Sequence, residues 1–318
     1  MKKIALLPLA LIAAAPPAPA PVLSPNEIVA AAKAEEWTAI APSDLLVMDL
    51  AADRDGKARR VVIQLMPAPF SQGWIGNIRK LAATRWWDGT SVNRVQDNYV
   101  VQWGDATEKK ELPAGLAAVP QSDYLRERGV TDIHLTNGSS VQDTAQKFDA
   151  VRGIDAYGTP TAFYRGWPFA GDVSDFGFAF PGFWPVHCYG MVGVGRNMPP
   201  DTGTGAELYT VIGHAPRHLD RNIALVGRVI SGIEHLSSLP RGTGDLSFYK
   251  TAEERVPILS VRIGDQVSGL PRYEYLSTES TSFAAYAEAR ANRRDAFFIT
   301  PAGGADICNI PVPVRVGR

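Results

Sequence analysis

The sequence holds almost nothing in surplus. Its 318 residues carry 32 basic and 33 acidic side chains, a formal net charge of −1. That leaves no electrostatic footprint for the phosphate backbone of a nucleic acid. Beyond the first residues there is no apolar run near the ~20 residues needed to span a bilayer, so no integral membrane segment is expected in the mature protein. Internal repeats are missing. No serine–histidine or cysteine–histidine arrangement comes with a recognisable nucleophile turn, which argues against a hydrolase. His214 and His218 are spaced like metal ligands, but Pro216 between them breaks a helix, and even with His187 and Cys188 nearby no metal site is expected. The glycines of Gly190-Met191-Val192-Gly193-Val194-Gly195 are in the wrong order for a nucleotide loop, and no βαβ unit surrounds them. They read as room for close strand packing.

Cysteine is nearly absent too. Cys188 and Cys308 are the full complement. In an exported protein such a pair is a candidate disulfide, and two buried thiols are the alternative.

What is present begins with MKKIALLPLALIAAAPPAPAP. Two lysines, a short apolar run and then small residues with prolines make a secretory signal peptide, taken as residues 1–20. The protein is therefore expected outside the cytoplasm. Ser24-Pro25-Asn26-Glu27 is a helix start with the elements of a capping box, and the Ala-rich sequence carries that helix to about Trp37. Leu46, Met48 and Leu50 alternate as a strand. Asp53-Arg54-Asp55-Gly56 is a turn, and Arg60 to Leu65 returns as the second strand of a hairpin. Pro69 to Ala83 has helical spacing, with Trp74, Ile78 and Leu81 on one face. Further β-segments follow at 91–105, 190–196, 207–213, 223–232 and 257–265. Ile230 to Leu239 shows helical spacing, and helices are expected at about 140–150 and 282–293. The segment 157–189 holds eleven aromatic residues in 33 positions. Most of them are expected in the core, with a minority extending a binding groove. The sum is a mainly β chain: a closed antiparallel barrel capped by two helices, over residues 44–265. A helical segment (21–43) precedes it, an insertion (about 106–186) interrupts it, and an extension (266–318) follows.

Within this order the stretch SVNRVQDNYVVQWGD stands out, because two strands each hold one large polar side chain, Arg94 and Gln102. The order of segments resembles the cyclophilin-type peptidyl-prolyl isomerases. In that family a hairpin and a helix precede a strand ending Phe-His-Arg-Val and another ending Gln-Gly-Gly-Asp. Val92-Asn93-Arg94-Val95 and Val101-Gln102-Trp103-Gly104-Asp105 take those places. Gly190 to Arg196 is similar to a Gly-Thr-Val-Ala-Met-Ala-Arg strand of bacterial members. Ala206-Glu207-Leu208-Tyr209 stands where Ser-Gln-Phe-Phe occurs. Leu219-Asp220 and Leu225 to Val229 match the next turn and strand. The resemblance implies an isomerase that acts on proline-containing polypeptides and needs no cofactor; with the signal peptide, it is expected in the periplasm, assisting the folding of exported proteins. It implies Arg94 as hydrogen-bond donor to the prolyl nitrogen and Gln102 as holder of the substrate backbone. Tyr99, Val100, Leu208 or Tyr209, His218 and Leu219 would line the proline slot. The departures fall on that slot. Tyr99 and Leu208-Tyr209 replace phenylalanines, Glu207 replaces a glutamine, and Trp103 replaces a glycine beside the site. A non-catalytic peptide-binding or chaperone module on the same fold is the alternative.

Overall fold

The computed structural model describes residues 22–124, 126–127, 155–158, 161–171 and 182–317. The expected signal peptide and the expected helix at 140–150 lie outside them. Eight strands close a barrel in the order β10–β11–β5–β4–β13–β2–β3–β12: β2 (Leu45–Leu50), β3 (Arg59–Leu65), β4 (Ser91–Val95), β5 (Val100–Gly104), β10 (Met191–Val194), β11 (Leu208–Val211), β12 (Leu225–Ser231) and β13 (Val256–Ile263). All ladders are antiparallel. Strand alternation sends Leu46, Met48, Val61, Ile63, Val101, Trp103 and Leu208 into one core, each at most 1% exposed. Each such aliphatic side chain contributes about 1.5–3 kcal/mol relative to exposure.

Helix α2 (Gln72–Ala83) packs Trp74, Ile78 and Leu81 onto that core, as the spacing predicts. The second expected cap differs. Ile230 belongs to β12, and only one helical turn, α3 (Glu234–Ser237), follows it. Helix α1 (Pro25–Ala31) has the expected capping box from Ser24 and Glu27. It stops short of Trp37 because Trp37 opens β1 (Trp37–Ile40). That strand is claimed by the C-terminal extension: β1 pairs with β14 (Tyr273–Leu276), which pairs with β15 (Val314–Val316). The extension's helix, α4 (Thr281–Ala291), lies on α1. Glu36 accepts hydrogen bonds from the Ser282 backbone and hydroxyl and from the Thr281 hydroxyl, which pull its carboxyl down to about 2.

The insertion builds its own four-stranded sheet from β6 (Arg126–Glu127), β7 (Thr161–Tyr164), β8 (Trp167–Gly171) and β9 (Gly182–Pro185). Trp167, Phe169, Phe183 and Trp184 are fully buried in the common core. For these aromatics the core reading is the observed one, whereas Tyr157 and Tyr189 are exposed. Arg228 of β12 is buried between the modules. It donates to Gln64 Oε1 and to the Gly166 carbonyl and lies over the Trp167 ring. Burial brings its guanidinium down to about 10. Cys188 and Cys308 are joined in a disulfide with Cα atoms 5.1 Å apart, which ties the extension to the strand region before β10.

Candidate active site

The site begins with a register shift. On β5, Val101 and Trp103 face the core, so Gln102 faces out. On β4, Val92 pairs with Trp103 but Arg94 pairs with Gln102, so Asn93 is an extra residue. This bulge changes the phase of the strand. Val92 and Val95 both reach the core, and Arg94 is delivered to the outer face beside Gln102. The same alternation settles the neighbouring strand. Leu208 pairs with Trp103 and is 0% exposed in the core, whereas Tyr209 pairs with Gln102 on the outer face. Of the two slot candidates on β11, Tyr209 is therefore the lining residue and Leu208 is not. Trp103, expected beside the site, points inward into the main core.

A groove of about 750 Å³ opens over this face. Arg94, Gln102, Tyr99, Val100, Tyr209 and Leu219 line it, together with Glu207, Ile223 and Phe248. Val100, Tyr209 and Val211 form a small apolar cluster with Tyr99 and Ile223 packed against it, separate from the main core. His218 is not a lining residue. It lies against Tyr99, ring centroids 6.4 Å apart and nearly parallel.

Arg94 is half-buried. Its Nε donates to the Leu246 carbonyl (2.8 Å), Nη1 to Gln102 Oε1 (3.1 Å) and Nη2 to Gln96 Oε1. Its guanidinium carbon lies 5.3 Å from the Phe248 ring centroid and 5.9 Å from that of Tyr99. Among the described residues no carboxylate is in ion-pair contact with it. Burial lowers its pKa, partly offset by Tyr99 and Glu207, yet an arginine stays charged at any ordinary pH. Three of its five N–H groups are committed, which leaves two for a ligand. Gln102 in turn donates through Nε2 to Glu207 Oε1 (2.7 Å). That bond orients the amide so that its oxygen meets Arg94. Burial pushes the Glu207 carboxyl up, against the bonds from Gln102 and Asn93 that favour the ionised form.

Sequence reasoning gave no role to the loop that covers Arg94. Gly244 to Phe248 folds back so that Phe248 bridges to Arg94 and Leu246 offers its carbonyl. Leu246 and Ser247 both adopt positive φ there. Their types give no hint of this, and the contact spans 152 residues of chain. Cys188 is in the disulfide, and His187 is hydrogen-bonded on both ring nitrogens.

This geometry, a bulged strand pair that sets an arginine and a glutamine beside a small apolar slot on a closed barrel, can now be placed among known proteins. Residues 55–263, more than half of the chain, match the family model for cyclophilin type peptidyl-prolyl cis-trans isomerase/CLD. The chain belongs to the cyclophilin family. Its fold is similar to the crystal structure of the cyclophilin AquaCyp293 from Hirschia baltica, with a TM-score of 0.62 and 22% identity over 89% of this chain and 94% of that one. A cyclophilin type isomerase from Cryptosporidium parvum, crystallised in the presence of the dipeptide Ala-Pro, aligns with 68% of this chain and 98% of its own at 10% identity and a TM-score of 0.36. No match was found among curated proteins. Membership of the cyclophilin family supports a peptidyl-prolyl isomerase role for this chain.

Proposed function

We propose that this cyclophilin catalyses cis–trans exchange of Xaa–Pro bonds in proline-containing polypeptides outside the cytoplasm, and so assists exported proteins in folding. The observation that carries the reading is the Arg94–Gln102 pair on one outer face beside the Val100–Tyr209 slot. The barrier to be lowered, roughly 18–20 kcal/mol, comes from delocalisation of the amide nitrogen lone pair into the carbonyl. Lowering it requires no nucleophile and no electron carrier. It requires a donor that meets the lone pair as it leaves conjugation, which is stabilisation specific to the twisted state.

Arg94 suits that task because no carboxylate among the described residues pairs with its charge, its fork is held at three points and two N–H groups remain. Tyr99, Val100, Tyr209, Leu219 and Ile223 would hold the pyrrolidine ring. Gln102, with its second amide hydrogen, would hold a substrate carbonyl while the atoms beyond it rotate. The export half of the reading is supported by the two lysines and apolar run at the start of the sequence. Mass spectrometry of the mature protein, showing loss of that segment, checks it.

The test of catalysis is NMR exchange spectroscopy on a short Xaa–Pro peptide, with the wild type and with Arg94→Ala. Acceleration by the wild type that collapses in the variant is the expected result; a folded wild type that accelerates nothing overturns the reading. One observation favours a peptide-binding module without useful catalysis: Glu207 already occupies the Gln102 amide. Saturable peptide binding without acceleration would select it.

A further inference from the structure

Tyr209 stands where the family resemblance has phenylalanine, so its hydroxyl must do something or be accommodated. It does not face the groove. The ring passes over β10 at Gly193, where an added Cβ would lie 2.3 Å from both Cζ and the hydroxyl oxygen. The hydroxyl then enters the interior and lies 2.8 Å from Nε2 of His187, with the two rings nearly parallel.

His187 is 0% exposed. Its Nδ1 lies 2.8 Å from Asp220 Oδ1, and its backbone N–H donates to the same oxygen at 2.9 Å. Asp220 Oδ2 accepts from Arg217 Nε at 2.7 Å, and Arg217 spans the two oxygens of Asp155 at 2.8 and 3.2 Å. A carboxylate only accepts, so Nδ1–H donates to Asp220, and Nε2 is the ring atom that meets the phenol oxygen. Burial, with the charge of Asp220 and the nearby Tyr99 adding to it, drives the Tyr209 phenol well above its usual range, so the O–H is retained. The hydroxyl is thereby an anchor, turned away from any substrate.

The structure assigns to His187 the role of a positioning residue: by holding the Tyr209 hydroxyl it fixes the ring that walls the proline slot, and so sets how tightly the slot grips a prolyl ring. This rests on the isomerase reading above for its substrate class. The far end of the anchor belongs to the modules outside the barrel. Asp155 lies in the insertion, Asp306 of the extension is 3.7 Å from Arg217, and Cys188 next to His187 is bridged to Cys308.

The test is a double-mutant cycle in the full-length, disulfide-bonded protein: Tyr209→Phe, His187→Leu and both together. Exchange kinetics and titration of an Ala-Pro-containing peptide are followed by NMR. Each single change is expected to raise KM and peptide Kd about fivefold, the worth of one hydrogen bond, and to leave kcat within about twofold. The double variant should be no worse than either single one, because His187 acts through the hydroxyl. Undiminished loss from His187→Leu in the Tyr209→Phe background overturns the assignment. So does Tyr209→Phe with unchanged KM and Kd, or a fall confined to kcat. If His187→Leu does not fold, Tyr209→Phe and a slowly exchanging Tyr209 hydroxyl proton with contacts to the His187 ring decide the matter, and absence of that proton signal counts against it. A folded wild type that binds the peptide without catalysis fails the isomerase reading alone, since the Kd cycle still reads the anchor. One that neither binds nor catalyses fails both.

Discussion

Arg94 and Arg217 place the same side chain in two opposite settings on neighbouring parts of the molecule. Arg94 sits in the open groove, half-buried, among neutral acceptors and aromatic rings. Arg217 is sealed inside, its charge shared between Asp155 and Asp220. Burial alone would lower the pKa of both. For Arg217 the bonds and charges of the two aspartates outweigh burial and raise it, while for Arg94 burial prevails. The difference teaches which arginine is available to a ligand. One that is neutralised by carboxylates is committed to holding the chain together. One tethered only by carbonyl and amide oxygens keeps its field directed into the groove.

The contrast can be broken hardest on the sealed side. Arg217→Ala would leave Asp220 and Asp155 buried without their cation, and should cost about 3–5 kcal/mol in denaturant unfolding. On the open side, Arg94→Ala should leave stability within about 1 kcal/mol, because no carboxylate is orphaned and the site is half-exposed. It should lower kcat/KM for prolyl exchange by roughly 100-fold or more, the usual consequence of deleting one preorganised donor. Arg94→Lys should recover little of this, since an ammonium cannot bridge Leu246, Gln102 and Gln96 at once. Exchanging both cysteines for serine should cost about 2–4 kcal/mol, read by the same denaturant titration, with a steeper slope because the released unfolded chain exposes more surface.

The smallest effect concerns Glu207. Burial raises its carboxyl above 4.5 in the folded state. The folded protein therefore keeps a proton that the unfolded chain has already lost, and stability falls as pH rises from about 4.5 through the folded value. Glu207→Gln removes that loss. Its melting temperature should exceed that of the wild type by roughly 1–2 °C near pH 7.5 and match it near pH 4, as differential scanning calorimetry would show.

The barrel was legible because its strands obey a period of two and its helix α2 a period near 3.6. The hairpin 46–65 and the helix through Trp74, Ile78 and Leu81 appear where the spacing puts them. Arg94 and Gln102 were legible as polar intrusions in β-sequence. Three things were not. The bulge at Asn93 is a matter of pairing, invisible until the partner strand is known. The choice between Leu208 and Tyr209 turned on register, where a slip of one residue exchanges core for groove. The anchor behind Tyr209 draws residues from positions 155, 187, 209, 217 and 220, and no local pattern joins them. Tyr209 was singled out for the slot and Asp220 as half of the Leu219-Asp220 turn, but nothing linked either to His187 or Arg217. The early end of α1 has the same origin, since Trp37 is taken as a strand by β14, over 230 residues away.

The bridge between Cys188 and Cys308 closes 120 residues of chain into a covalent ring. Phe297 and Ile299 stand almost fully exposed within that ring, 84% and 99% accessible. A protease that cuts there opens the ring without freeing anything. The C-terminal fragment stays fastened next to His187, and the nicked molecule runs as one species until a reductant is added. The extension up to Cys308 is thus held within a closed loop rather than as a free tail, and a first cut there would cost the protein its continuity but not its parts.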